Sequence, residues 1–369
     1  MLIFALAVDC KAAEYTFIPS DNSFYAENEI NDFISAIPDE IKEKTGDLSA
    51  EKADEAAQRY DFNFFLKEII SAINANIPSA ISLFGTITSM VIISGIFERI
   101  SESLNIKDLG KAFLFCSTLA IVIAFYGIQK TSFAAAENLL KTLTGIMTVI
   151  SPLMEAIYIS GGNISLAAVN GTSVTLTITI VEVIYSKILL PATTISLILC
   201  CVAAVTDNKG LAYLSKTLRI LLTTAIVSIM ALTSIALSIQ SGLAVSTDRF
   251  SQRAIRFALG SYVPLIGGAV SESLSALTGS LSLIKQFAGT TGIVVLILMI
   301  LPPVLSLILT RISLYMSSSV SGIIGNDKIK RLLEDIGEIY TMLISISLSS
   351  SLTFIYALSV FCRSQLALG

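Results

Sequence analysis

The sequence predicts an all-α, polytopic membrane helix bundle of about seven to nine membrane segments, some re-entrant, behind a small acidic N-terminal region. Three observations carry this. Of 369 residues, 54% are hydrophobic and only 14% are charged, where soluble domains carry about a quarter charged residues. The mean hydropathy is +0.79. The charge is also split along the chain: residues 1–69 hold 15 acidic and 6 basic side chains, residues 70–369 hold 13 and 18.

The chain divides into 1–13, 14–69 and 70–369. The first stretch, within "MLIFALAVDCKAAEYTF", has a short apolar core followed by small residues and reads as a short signal peptide lacking its basic start. Residues 14–69 are acidic and polar, with helical spacing at Ile30, Phe33, Ile34 and Ile37, and read as a partly disordered extracytoplasmic region. From residue 70 the chain is a multispan membrane domain.

"DFNFFLKEIISAI" is an amphipathic lead-in to the first long apolar run, Ile77–Phe97. About 20 helical residues span a ~30 Å hydrocarbon core, and this run is that long. Further spans are expected at 112–128, 142–160, 164–186, 188–206, 220–240, 291–310 and 339–362. The glycine- and serine-rich stretch 258–285, and 142–160 with Pro152, are the candidates for broken or re-entrant helices. "GNDKIKRLLEDIGEIY" reads as a short capped connecting helix between spans. A loose internal echo links Pro152-Leu153 and Gly161-Gly162 to Pro264-Leu265 and Gly267-Gly268, a pattern that chance recurrence or a transporter repeat would give.

No histidine occurs, which removes serine and cysteine triads and the commonest transition-metal ligand. The five cysteines lack metal-site spacing and give no disulfide framework. No phosphate-cradling loop, paired carboxylate motif or nucleic-acid patch is present, so neither an enzyme nor a cofactor is expected.

Ionisable residues inside apolar runs are Glu155, Glu182, Lys187, Lys285 and Arg311. Each costs at least ~2.5–3.5 kcal/mol near mid-membrane and must pair, snorkel or face water. Lys187 and Arg311, at segment ends, are expected to snorkel. Glu155 and Glu182 lie deeper and are expected to face each other or a pore.

The run "STDRFSQRAIRFALGSYVPLIGG", Ser246–Gly268, stands out in so apolar a chain. Arg249, Arg253 and Arg256 share one helical face beside Phe250, Ala254 and Phe257. Ser246 or Thr247 would cap the start, with Asp248 in the first turn, and Gly260 with Pro264 would stop it. Such a self-contained interfacial helix serves either lipid phosphates or a partner and anionic passenger.

Read residue by residue, Thr247–Gly267 resembles a block of the stage III sporulation protein AE family of endospore-forming bacteria: Asp248, Arg253, Arg256, Phe257, Gly260, Tyr262, Pro264 and Gly267 fit it without a gap. "PLMEAIYISGG", with Gly161 and Gly162, and "KQFAGTTG", with Lys285, Gly289 and Gly292, are two further matching blocks, and Arg249 and Gly268 depart from the pattern. The resemblance implies a non-enzymatic subunit of the secretion-like channel joining mother cell and forespore, multi-pass in the mother-cell membrane around the forespore. Its partners would be other membrane proteins of the same sporulation operon and a forespore-side protein, in a hetero-oligomer that binds no nucleic acid. The matching residues would form an assembly or gating surface. A stand-alone transporter for a small solute, using Glu155 and Glu182, is the competing reading.

Overall fold

The computed structural model describes the backbone of residues 34–45 apart from 36, residue 60, and residues 62–104, 107–160, 174–262 and 267–363; side chains are described there except at 62, 102, 107–109, 156–160, 240–290 and 360–363. Nearly all the described residues are helical. The short α1 (Asp39–Thr45) is followed by α2 (Phe62–Ser103), α3 (Lys107–Ser160), α4 (Thr175–Ile184), α5 (Leu190–Thr206), α6 (Lys209–Tyr262), α7 (Gly267–Ile324) and α8 (Asp327–Arg363).

Six helices among the described residues are long and apolar enough to cross a membrane: Asn63–Ser101, Gly110–Glu155, Thr175–Thr206, Lys209–Ile239, Thr291–Ile324 and Asp327–Ser359. The sequence reading separated two pairs of spans that the fold joins. Segments 112–128 and 142–160 are parts of one helix, the 54-residue α3. Its middle, "QKTSFAAAENLLK", holds alanine, leucine and lysine, and Glu137 pairs with Lys141 one turn on at 2.8 Å. Strong helix formers and an i, i+4 ion pair give the chain no reason to turn there.

Segments 164–186 and 188–206 likewise contribute to a single helix, Thr175–Thr206, with residues 164–173 outside the described ones. A π-turn, Tyr185–Leu189, joins α4 to α5, and the Leu190 N–H reaches back to the Tyr185 carbonyl. The wider turn lets the backbone pass Pro191, which has no N–H to donate, without breaking. Nor is "GNDKIKRLLEDIGEIY" a separate connector, because Asp327 opens α8 and the helix continues to Arg363. Its cap is as expected: Gly325 takes φ +92°, and Asn326 Oδ1 accepts from Ile329 N–H at 3.1 Å. The buried residues Ile329, Leu332, Leu333 and Ile336 draw this first stretch into the core.

α7 and α8 form the centre of the bundle, and two apolar layers stack along its length. One joins Leu143, Ile146, Ile150 and Leu153 of α3 to Ile293–Ile300 of α7 and Phe354–Leu358 of α8, with Ile37 and Ile41 from the acidic N-terminal region tucked in. The other joins Ile87 and Val91, Phe125, Tyr185, Leu222, Leu314 and Tyr340. Hydroxyls bridge helices between these layers, as small polar residues do where lipid supplies no hydrophobic drive. Tyr340 donates to Ser132 at 3.0 Å, Ser313 to the Ala80 carbonyl at 2.9 Å, and Ser196 and Ser215 lie 3.2 Å apart.

Candidate functional site

Asp248, Arg253, Arg256, Gly260 and Tyr262 lie on the backbone of α6, which runs without a break from Lys209. The expected self-contained interfacial helix is therefore corrected to the distal part of a 54-residue helix. Leu243, Ala244 and Val245 carry helix-compatible apolar sequence across the expected cap, and a preformed helix elongates without a new nucleus. Its end at Tyr262 falls between Gly260 and Pro264, the pair expected to stop it. At 1.5 Å per residue Arg253 stands roughly 65 Å from Lys209, more than twice the thickness of a hydrocarbon core.

Gly267, Lys285, Gly289 and Gly292 lie on α7, whose helix includes the part of 258–285 that begins at Gly267. Gly161, Gly162 and Pro264 lie outside the described residues, as do the side chains of 240–290. Among the glycines of the matching blocks, Gly292 is the one whose surroundings are described. A Cβ there would stand 2.8 Å from Leu358 Cδ2 and 3.4 Å from Ile150 Cδ1. It is a close-packing position between α7, α8 and α3, inside the bundle rather than on an assembly surface.

The intramembrane carboxylates do not meet. The hydroxyls of Ser151 and Thr175 lie 2.6 Å apart, and α3 also packs against the Tyr185–Leu189 π-turn. These contacts set α3 and α4 antiparallel, with residue 151 level with 175 and residue 137 level with 187. Glu155 and Glu182 then stand about 16 Å apart along the helix axes. Lys187 is not at a span end, as the sequence had it. Exposed Leu176, Ile180 and Val183 precede it, and exposed Ile188, Ile195, Ile198 and Val202 follow it, on one continuous helix.

The most developed polar constellation is one that sequence reasoning missed. Arg219 of α6 is buried against α8, with its Nη2 2.6 Å from Asp335 Oδ1 and its Nη1 donating to the Asp335 carbonyl at 3.1 Å. Its Nε lies 3.1 Å from Glu338 Oε2, an ion contact without hydrogen-bond alignment. Asp335 and Glu338 are three residues apart and so share one helix face, the only local signal in the sequence. Nearer the α7–α8 turn, Arg99 donates to the Ile324 carbonyl at 2.9 Å, Asn326 to Ser94 at 3.2 Å, and Ser321 to the Asn326 carbonyl at 2.9 Å. These contacts lock α2, α6, α7 and α8 together and leave no activated nucleophile or proton-transfer pair among them. Among the described residues no group of three His, Cys, Asp or Glu is placed to hold a metal ion.

Comparison with known proteins gives one family. The family model described as Stage III sporulation protein AE matches residues 46–365. The Stage III sporulation protein AE of Bacillus subtilis (strain 168) is 20% identical over 233 residues, which is 63% of this chain and 58% of that protein's length. No solved structure matches.

Proposed function

The chain belongs to the stage III sporulation protein AE family, and from that premise we propose that it is a non-enzymatic membrane subunit of the complex that joins mother cell and forespore. Its place is the mother-cell membrane around the forespore, with the acidic N-terminal region extracytoplasmic. There it works in a hetero-oligomer with other membrane proteins of its operon and a forespore-side partner, as part of a secretion-like channel that sustains late forespore development. The observation that carries this reading is the extent of the family match, which takes in all six apolar helices long enough to cross a membrane among the described residues. The bundle's own polar contacts also support a structural subunit, since they tie helices together. Asp248, Arg253, Arg256 and Tyr262, on the far part of α6, are assigned the docking surface for those partners.

A tagged copy purified in mild detergent from sporulating cells should bring other sporulation membrane proteins with it. Arg253→Ala combined with Arg256→Ala should abolish that recovery and stop sporulation after engulfment, with the chain still inserted. Spore yield at the unmodified level from the double variant would overturn the docking assignment. Recovery of the unmodified chain alone, as a single species, would turn the reading towards a stand-alone transporter.

A further inference from the structure

The two halves of α3 present opposite outer faces. In the first half the exposed large residues are Phe115, Leu119, Ile123 and Tyr126, an apolar stripe of the kind lipid covers. In the second half the exposed positions are Ala134, Asn138, Lys141, Gly145, Thr148 and Pro152, spaced as one helix face about 27 Å long. No large aliphatic or aromatic side chain stands among them. The opposite side of this same stretch carries Leu139, Leu143, Ile146, Ile150 and Leu153 into the core, so the half is an integral wall of the bundle.

Its height is fixed by the Ser151–Thr175 contact at one end, and the helical rise brings Glu137 to the level of the π-turn that holds Lys187, against which α3 packs. Over that interval the neighbouring α4 turns Leu176, Ile180 and Val183 outward, each more than two-fifths exposed. At one height, therefore, α4 shows the outside large aliphatic side chains, whereas α3 shows small residues and the polar Asn138, Lys141 and Thr148. The α3 surface also carries charge: the side chains of Lys141 and Glu137 are 60% and 47% exposed, and Lys187 is exposed beside them.

Hydrocarbon does not tolerate that group, because each outward charge at such a height costs several kcal/mol. A dry protein contact is a poor alternative, since two lysines and one carboxylate leave net positive charge that would be buried unpaired. Water removes both difficulties. We propose that the face formed by Asn138, Lys141, Gly145, Thr148 and Pro152 lines a water-filled, mildly electropositive passage for small hydrophilic solutes through the assembled complex. The proposal deepens the channel-subunit reading by assigning the wall.

The test is the rate at which a charged, membrane-impermeant methanethiosulfonate reagent modifies single introduced cysteines in membranes of sporulating cells, read peptide by peptide by mass spectrometry. Asn138→Cys and Thr148→Cys should react at least about tenfold faster than Ile180→Cys, at the same height on the lipid-type face, and than natural Cys116, exposed on the apolar half of α3. Equal reaction at all four after solubilisation in denaturing detergent confirms that every chain is present. Rates at 138 and 148 no faster than at 180 would overturn the proposal. Spore yield and partner recovery judge the channel reading separately, so either idea can fail while the other stands.

Discussion

Two of the charge groups within the apolar length of this bundle are treated by the fold in opposite ways. Arg219 is buried, and its guanidinium is spent on the side chain and carbonyl of Asp335 and on Glu338, both from α8. Glu137, Lys141 and Lys187 sit on the outside of α3 and of the π-turn after α4, where Glu137 and Lys141 pair along their own helix. The inner group is satisfied by protein, so it works as a fastener. The outer group leaves net charge to its surroundings, so it reports what those surroundings are. The difference shows that a charge in an apolar chain gains meaning from what satisfies it.

The sharpest way to break the comparison is at Arg219. Arg219→Ala removes the cation between α6 and α8 and leaves the Asp335 carboxylate without its partner. Breaking a buried ion group costs about 3–5 kcal/mol, and the low end applies because Glu338 can turn to solvent; the expected loss is about 3 kcal/mol. Cys200, buried on α5, gives the readout, because it reacts with a thiol dye only when the bundle opens. The unfolding midpoint in mild detergent should fall clearly. An unchanged midpoint would show that the contact contributes nothing and that the inner group is no fastener.

Packing gives the next largest contrast, through two glycines on opposite sides of the same wall. A Cβ at Gly292 would crowd Leu358, whereas one at Gly145 would meet nothing within 4 Å. Gly292→Val should cost about 2 kcal/mol through overpacking. Gly145→Ala should be neutral or stabilising by up to about 1 kcal/mol, since alanine is the better helix former. Both are read by the same thiol assay. A loss at Gly145 equal to that at Gly292 would mean the outer face is tightly packed against protein, and would count against water there.

What could be read from the sequence follows the same division between local and distant causes. Apolar length and the Gly325-Asn326 cap are local properties, and the fold keeps them. Span boundaries are harder to read, because charge and proline look like breaks along a single sequence. Glu137 and Lys141 in fact pair on a continuing α3, and a π-turn carries the chain past Pro191. Arg219 was legible only as one more cation near a span end, since its partners lie over a hundred residues away. The polar face of α3 was present in the letters of 134–152, but only the register with α4 shows that lipid-type residues stand at the same height.

The smallest effect decides most about that face. Glu137→Gln removes one partner of an exposed i, i+4 pair, which contributes only about 0.3–0.5 kcal/mol. In water the variant should unfold within 0.5 kcal/mol of the unmodified chain, because Lys141 and Lys187 remain solvated. If the face is instead buried against protein, the same change leaves two lysines without their carboxylate. The cost then rises to several kcal/mol, and partner proteins should be lost from the purified complex. Measuring the unfolding midpoint and partner recovery on this one variant separates the cases: a stable chain with its partners retained favours water, and a destabilised or stripped complex favours a contact.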